Sequence, residues 1–316
     1  MTETMQKLAQ KLEASISSVI LGKEKQIRLI ITSFFSGGHV LLDDIPGTGK
    51  TTLARALAAS VDGKLGRIQF TPDLLPADVT GIQYYDMNSG KFILKKGPVF
   101  SNIVLADEIN RATPRTQSAM LECMGETQVT LDGTTYPLPQ PFFVIATQNP
   151  VEFEGTFPLP EAQTDRFFMR LSLGYPERDA EISMMERYKA DVDVPLSSVR
   201  PVCSCEDILA VRNAVQQITV SRKIREYIAD IVQATREDTR LTLGVSPRGT
   251  LALMRGAQAY AGIQGRKFVL PDDVKAVAVP ILAHRIITGV QNRLRLSSSG
   301  EEIISSILEK LPSPVD

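Results

Sequence analysis

The residues with the clearest chemical potential form one stretch near the start of the chain, Pro46-Gly47-Thr48-Gly49-Lys50-Thr51-Thr52. An apolar run precedes the stretch and a helix-like run follows it, so the order is strand, loop, helix. Gly47 and Gly49 allow backbone N–H groups to turn inward around a phosphate. The Lys50 ammonium reaches phosphate oxygens, and the Thr51 hydroxyl is a ligand for Mg²⁺. The positive end of the following helix adds to this attraction. The stretch therefore predicts a site for nucleotide phosphates and Mg²⁺.

One residue departs from the strict form of this pattern. The pattern G-x-x-x-x-G-K-[ST] has glycine six positions before the lysine, and the chain has Asp44 there. A chance glycine-rich turn before a helix is the competing interpretation. The order of strand, Gly-Thr-Gly-Lys-Thr and helix favours the phosphate loop.

An acidic pair, Asp107-Glu108, ends the apolar run Ile103 to Ala106. In a doubly wound sheet, the carboxyl end of a central strand lies beside the phosphate loop. We predict that Asp107 holds Mg²⁺ through its water shell and that Glu108 orients and polarises the attacking water. Acidic residues often end strands without any such role, so the prediction depends on the phosphate loop being present in the same chain.

Three further polar residues are candidates. Asn149 ends the next buried strand, where it can hydrogen-bond the γ-phosphate or the attacking water, although an ordinary Asn-Pro turn explains it as well. Arg166, in Asp165-Arg166-Phe167, follows a short predicted helix at the flank of the domain. Arg248, in Ser246-Pro247-Arg248, opens a later helix. Each arginine, taken alone, is typical of a solvated surface charge.

The elements around these residues indicate an α/β fold. Buried-strand runs at 103–106 and 142–146 alternate with helical runs, which predicts a central parallel sheet covered by helices. Two hairpins are predicted around Asn88-Ser89-Gly90 and Asp132-Gly133. Helical patterns follow at 177–189, 205–216, 221–237, 248–262 and 271–284. We therefore predict an α/β core over residues 1–190, with inserts at about 72–97 and 126–137, a linker at 191–201 and an all-helical domain over 191–316.

Composition disfavours several classes of protein. The 316 residues include 35 basic and 36 acidic side chains, so no bulk attraction to nucleic acid or anionic membrane is expected. The longest apolar run is too short to span a bilayer. Cys123, Cys203 and Cys205 match no metal-ligand spacing, and the two histidines match no catalytic spacing. Free thiols indicate a reducing cytoplasm.

The quoted residues resemble those of the AAA+ ATPases, and within them the MoxR family. The most specific strings are Gly47 to Thr51, Leu105-Ala106-Asp107-Glu108-Ile109-Asn110-Arg111-Ala112, Ala146-Thr147-Gln148-Asn149-Pro150, Glu154 to Gln163 and Asp165-Arg166-Phe167. The resemblance implies ATP and Mg²⁺ as cofactors and an AAA+ P-loop core with a smaller helical lid. It implies that Asn149 is the sensor 1 residue, Arg166 the arginine finger and Arg248 the sensor 2 arginine, with Arg170 as a second finger candidate.

The resemblance also has implications for base binding and assembly. The adenine is expected near Val19, Ile20 and Gly22, against the helical lid. The two hairpins are similar to the family's helix-2 insert and pre-sensor 1 hairpin. A six-membered ring is implied, with chaperone-like activity on a protein client, often beside a partner that carries a von Willebrand factor A domain or a metal-containing enzyme.

Two other functions remain open at this point. Related AAA+ rings act as nucleic-acid motors, and Lys95-Lys96 at the end of one hairpin is a local basic feature, but the balanced charge disfavours that function. A nucleotide-gated scaffold with little turnover is the other alternative. Intact Glu108 and Arg166 disfavour it, because both residues serve hydrolysis rather than binding.

Overall fold

A computed structural model describes residues 2–88, 90–149, 155–187, 199–289 and 299–314. The strands are β1 Val40–Asp43, β2 Leu65–Gln69, β3 Gly81–Asp86, β4 Lys91–Lys96, β5 Ile103–Asp107, β6 Gln128–Leu131, β7 Thr134–Pro137, β8 Phe143–Gln148, β9 Met169–Leu171, β10 Leu241–Leu243 and β11 Ile287–Thr288. The helices are α1 Thr2–Ser17, α2 Glu24–Ser36, α3 Lys50–Ser60, α4 Pro76–Thr80, α5 Pro114–Glu126, α6 Glu161–Thr164, α7 Arg178–Arg187, α8 Cys205–Val215, α9 Arg222–Glu237, α10 Pro247–Ile263, α11 Pro271–Leu282 and α12 Gly300–Lys310. Short 3-10 turns occupy Ile109–Arg111 and Ala283–Arg285.

The centre of the fold is a five-stranded parallel sheet in the order β2-β5-β8-β1-β9. β5 is buried along its whole length because it is covered on both faces, as its continuous apolar sequence predicts. Leu42 lies beside Thr147, and Ala106 lies beside Ala146. The carboxyl ends of β1, β5 and β8 therefore meet at one edge of the sheet, and the predicted parallel sheet is confirmed.

The two faces of the sheet belong to different cores. Alternate side chains of a strand point to opposite faces. Val40 and Leu42 pack in a core with α1, α2, α3 and the C-terminal helices, whereas Leu41 packs in a second core with α4, α5 and β6. The first core runs without a break from the sheet into the C-terminal helices. These helices are therefore packed onto the α/β core in one continuous set of apolar contacts.

Two hairpins project from the second face. β3 pairs with β4 and β6 pairs with β7, as expected at the predicted inserts. Asp132 and Gly133 have φ of 47° and 78°, the left-handed pair that a type I′ turn needs. The tip residue Ser89 of the other hairpin lies outside the described residues.

The C-terminal part is helical, as predicted, but it is not all-helical. A short antiparallel ribbon joins β10 and β11 among helices α8–α12, and the prediction missed it because both strands are too short to show a period. We use the term lid for α8–α12 with this ribbon. Most of the predicted linker and the boundary at 190 lie outside the described residues, as do Pro150 and Glu154 of the quoted strings. A division of the chain near residue 190 remains a proposal.

Candidate active site

The phosphate loop connects the end of β1 to the start of α3. Gly47 and Gly49 have φ of 84° and 88°, a left-handed backbone that glycine adopts without steric cost. Gly49 immediately precedes α3, and no side chain caps the helix. The first N–H groups of a helix lack intrahelical acceptors, so this end offers donors to an anion. Lys50 Nζ donates to the backbone oxygens of Asp44 and Ile45 at 2.8 and 3.1 Å, which holds its ammonium in the loop.

The loop forms one wall of a cavity of about 520 Å³, which we call the nucleotide pocket. Val19 and Ile20 line it, so the structure brings the predicted base-binding residues to the loop. Gly22 does not line the cavity but supports it, because a Cβ at this position would lie 2.8 Å from the Cβ of Ala180. The lining residues are Ser18, Val19, Ile20, Leu21, Lys23, Gly47, Thr48, Gly49, Thr52, Tyr175, Pro176, Ala180, Glu181, Met184 and Met185.

The sequence analysis did not predict the wall of this pocket that lies after β9. It is formed by Tyr175 and by α7, on which Met184 and Met185 are exposed. Buried Lys23 ties this wall to the start of α2, because its Nζ donates to the backbone oxygen of Tyr175 at 2.7 Å. Adjacent exposed methionines on a polar helix are a signal that the sequence did offer. Such side chains suit a flat, apolar ligand surface.

Asp44 has a structural reason to replace glycine. Its carboxylate is 3% exposed and accepts three hydrogen bonds from the segment after β9, at 2.8 Å from Ser172 Oγ, 2.6 Å from the Leu173 N–H and 2.9 Å from the Gly174 N–H. This segment leads directly to Tyr175. Asp44 thus joins the start of the phosphate loop to the opposite wall of the nucleotide pocket.

Restoring the strict pattern is therefore expected to damage the protein. We predict that Asp44→Gly lowers the free energy of unfolding by about 2–4 kcal/mol, because two buried N–H groups and a hydroxyl lose a charged acceptor. Ser172→Ala, which removes one of these bonds, should cost about 1 kcal/mol. Urea denaturation measures both. An Asp44→Gly protein as stable as the unsubstituted chain would contradict this assignment.

The acidic pair is held at the carboxyl end of β5. Asp107 accepts from Thr147 Oγ1 at 2.8 Å and from Arg67 Nη2 at 2.9 Å. The Thr147 hydroxyl also accepts from the Glu108 N–H at 2.8 Å. Thr147 therefore fixes both acidic residues, a role that the sequence analysis missed although the residue stands in a quoted string.

The Glu108 side chain is also restrained. Its Oε2 accepts from Gln69 Nε2 at 2.8 Å and from Arg111 Nη1 at 3.1 Å. The residue has φ of 57°, an unfavourable backbone conformation that costs about 1–3 kcal/mol and is concentrated at functional sites. Glu108 is thus placed by its neighbours rather than by a relaxed turn.

Asn149 follows the end of β8, between β5 and β1. It is 5% exposed. The preceding residue, Gln148, accepts a backbone hydrogen bond from the Asp44 N–H at 3.2 Å. The strand end that carries Asn149 is therefore bonded directly to the first residue of the phosphate loop, where a sensor of phosphate would have to lie.

The predicted arginines lie elsewhere. Arg166 is exposed beyond α6, and within the described ranges its side chain has no hydrogen-bond or ion-pair partner. Arg248 is also exposed, and its Nη1 lies 3.6 Å from Asp165 Oδ2. Arg170, the second finger candidate, forms an ion pair with Asp43 of its own chain. Neither Arg166 nor Arg248 lines the nucleotide pocket.

Comparisons with known proteins agree with this arrangement. Residues 39–169 match the ATPase family associated with various cellular activities (AAA), and residues 233–307 match an AAA lid domain. Protein YeaC from Bacillus subtilis is 45% identical over 99% of this chain and 97% of its own length. Chaperone MoxR1 from Mycobacterium tuberculosis is 36% identical over 95% of this chain and 80% of its own length. The chain belongs to the MoxR family of AAA+ ATPases.

A solved structure resembles this MoxR-family chain over nearly its whole length. The crystal structure of a candidate ATPase from Cytophaga hutchinsonii superposes with a TM-score of 0.90 at 41% identity, covering 99% of this chain and 98% of its own. The AAA match spans the phosphate loop, the acidic pair and Arg166, and the lid match includes Arg248. Membership in this family makes the chain a nucleotide-binding protein that hydrolyses ATP.

Proposed function

We propose that this chain is a subunit of a hexameric ring that uses ATP hydrolysis to remodel, mature or activate a protein partner. The observation that supports it best is the division of the site. The phosphate loop and the acidic pair share one edge of the sheet, whereas Arg166 and Arg248 lie outside the nucleotide pocket. Catalytic arginines placed away from their own pocket suit delivery to a neighbour. One family relative, Chaperone MoxR1, is named as a chaperone, which supports the remodelling role.

The residues present fit ATP with Mg²⁺. The uncapped start of α3 and the left-handed glycines offer N–H donors to phosphates, and Lys50 adds a positive charge. Thr51 and Asp107 would hold Mg²⁺. Each carboxylate oxygen has a second lone pair beyond its present hydrogen bond, which leaves Asp107 able to accept from metal-bound water. Mg²⁺, when bound, neutralises charge on the phosphate oxygens.

Within this proposal, each predicted residue has a role. Glu108 accepts a proton from the attacking water, and Asn149 orients that water or the γ-phosphate. Arg166, with Arg248 on the same side of the chain, stabilises charge that develops in the neighbouring subunit's pocket. Val19 and Ile20, with Tyr175 opposite them, enclose the base.

The client is a protein in this proposal, and a protein with a von Willebrand factor A domain is the first class of partner to test beside it. The balanced charge of the chain supports a protein over a nucleic acid. Among the described residues, no helix combines the length and apolar character that a membrane crossing requires. The three cysteines are free thiols, which supports a cytoplasmic location.

A trapping experiment tests the remodelling role. Glu108→Gln should retain a protein partner in the presence of ATP, because the ATP-bound state persists without hydrolysis. Lys50→Ala, which lacks bound ATP, should retain none and is the matched control. Affinity capture with mass spectrometry measures the difference. Equal recovery with both variants, or strong recovery of nucleic acid with Glu108→Gln alone, would contradict the proposal.

A further inference from the structure

The lid contacts the residues on both sides of Arg166. We call Asp165–Phe167 the finger segment. Arg285, at the end of the 3-10 turn after α11, has a side chain that is 3% exposed. Its Nη2 donates to the backbone oxygen of Phe167 at 2.7 Å, and its Nε lies 3.4 Å from Asp165 Oδ1. Nε2 of His284 lies 3.1 Å from the same Phe167 oxygen. Two consecutive lid residues thus hold both flanks of Arg166.

The Arg285 guanidinium is buried and charged, so separating it from Asp165 and the Phe167 oxygen is costly. Burial lowers the pKa of Arg285 to about 10, and the Asp165 carboxylate opposes that shift, so the guanidinium is charged at neutral pH. A buried guanidinium that loses its partner is strongly unfavourable. The lid therefore cannot move away from the finger segment without breaking this pair or carrying the segment along.

A glycine in the lid leaves room for the Arg285 side chain. A Cβ on Gly249, in the first turn of α10, would lie 3.3 Å from Arg285 Cδ and 2.5 Å from Val245 Cγ1. Any larger residue at position 249 would press on Arg285 and Val245. The start of α10 therefore packs closely against the Arg285 side chain.

The lid helix α10 also packs on the two helices that flank one wall of the nucleotide pocket. α10 packs along α1 and α2, and the residues just after α1, Ser18 to Leu21, line the pocket. Phe167 is fully buried in the core on the other face of the sheet, and the next N–H, of Phe168, donates to the His39 oxygen at 2.8 Å. Arg166 is therefore exposed between Asp165, which the lid contacts, and Phe167, which both the lid and the sheet core contact.

We propose that Arg285, through Asp165 and the Phe167 carbonyl, is a positioning residue that sets Arg166 according to the position of its own subunit's lid. This inference rests on the proposed delivery of Arg166 to a neighbour. It adds a direction: the lid of one subunit, which packs on α1 and α2 next to that subunit's pocket, controls the arginine that completes the next pocket. Arg285 itself does not line the nucleotide pocket.

The first test measures the segment directly. In Arg285→Met, amide hydrogen exchange over residues 161–168 should become at least about tenfold faster, because the segment loses its buried donor. ATP affinity should stay within about twofold, since Arg285 does not line the nucleotide pocket. Arg266→Met is the matched control, because Arg266 pairs with buried Asp273 at 2.6 Å within the lid, away from the finger segment. It should leave exchange over 161–168 unchanged, and equal exchange in both variants would overturn the proposal.

The second test uses mixed rings and places the change on one side of an interface. Lys50→Ala mixed with Arg166→Ala should regain activity, because Lys50→Ala subunits still donate Arg166. Lys50→Ala/Arg285→Met mixed with Arg166→Ala should regain at least about tenfold less, because every donor lacks Arg285. Lys50→Ala mixed with Arg166→Ala/Arg285→Met should regain as much as the parent pair, since the receiving subunit does not need Arg285.

The arms separate the possible outcomes. A merely structural role for Arg285 would reduce recovery equally on either side, and that result would overturn the positioning role while leaving Arg166 as a shared arginine. Recovery in the parent pair and in the pair with Arg285→Met on the receiving side, with loss only when the donor carries Arg285→Met, supports the proposal. No recovery in the parent pair, with subunit exchange proven by native mass spectrometry, would overturn both. Arg285→Lys, which keeps the charge with a shorter reach, should give intermediate exchange and recovery, and serves if Arg285→Met subunits fail to assemble.

Discussion

Lys50→Ala is expected to abolish tight ATP binding, whereas Glu108→Gln is expected to bind ATP normally and to hydrolyse it at least about 100-fold more slowly. The two side chains act at different stages. In the proposed mechanism, Lys50 contacts phosphates in the ground state, and its ammonium is held in the phosphate loop. In the same proposal Glu108 acts on the water in the transition state, so its loss should affect turnover and leave affinity within about threefold.

The structure makes Glu108→Gln a clean substitution. A glutamine has the same shape, and its carbonyl oxygen can still accept from Gln69 or Arg111, so the local contacts survive in part. Glu309→Gln, on the exposed face of α12, is the matched control and should change neither property. Isothermal titration with a slowly hydrolysed ATP analogue and a phosphate-release assay measure the two quantities. Near-normal turnover in Glu108→Gln would show that the acidic pair has been misassigned.

Much of the core could be predicted because its signals are local. β5 and the first part of β8 are continuous apolar runs, a pattern typical of strands that are covered on both faces. The phosphate loop is defined by glycines whose positive φ values follow from the turn itself. Asp132-Gly133 specifies its hairpin in the same way. In each case the residues that determine the strand, loop or turn lie within that element itself.

The parts that were missed depend on distant partners. β9, Met169–Leu171, carries an exposed arginine in three residues and is a strand because the free edge of β1 pairs with it. Asp44 looked like a defect in a motif, although its three donors lie about 130 positions away. Arg285 reaches Asp165 from 120 positions away. No periodicity or spacing rule reports such contacts, since tertiary packing alone brings these residues together.

The arginine assignments illustrate the same limit. The family resemblance implied Arg166 as the finger and left Arg170 as a second candidate. The structure separates them by their surroundings: Arg170 is paired with Asp43 at the end of β1, and Arg166 is exposed without such a pair in the described part of the chain. This difference favours Arg166 as the group that reaches a neighbour, and it makes that role testable.

Mixing two inactive proteins is expected to restore activity. Arg166→Ala should bind ATP and lose about 10³–10⁵-fold in turnover, the range measured for arginine fingers. Lys50→Ala should be inactive because it lacks bound ATP. In a mixed ring, an interface is complete when an intact Lys50 faces an intact Arg166 across the boundary. In equal, random mixing that is roughly a quarter of interfaces, so about a quarter of normal activity is the expected ceiling.

The comparison with Arg170 decides which arginine acts across the boundary. Arg170→Ala removes an ion pair within one chain, so we expect a modest loss of activity and little complementation with Lys50→Ala. If Arg170→Ala complements strongly and Arg166→Ala does not, the finger is Arg170. Native mass spectrometry must first show that subunits exchange. With exchange shown and no activity recovered at any mixing ratio, Arg166 would have to act within its own subunit. That is difficult to reconcile with its position outside the nucleotide pocket, because its flanks are fixed by the lid and by the sheet core.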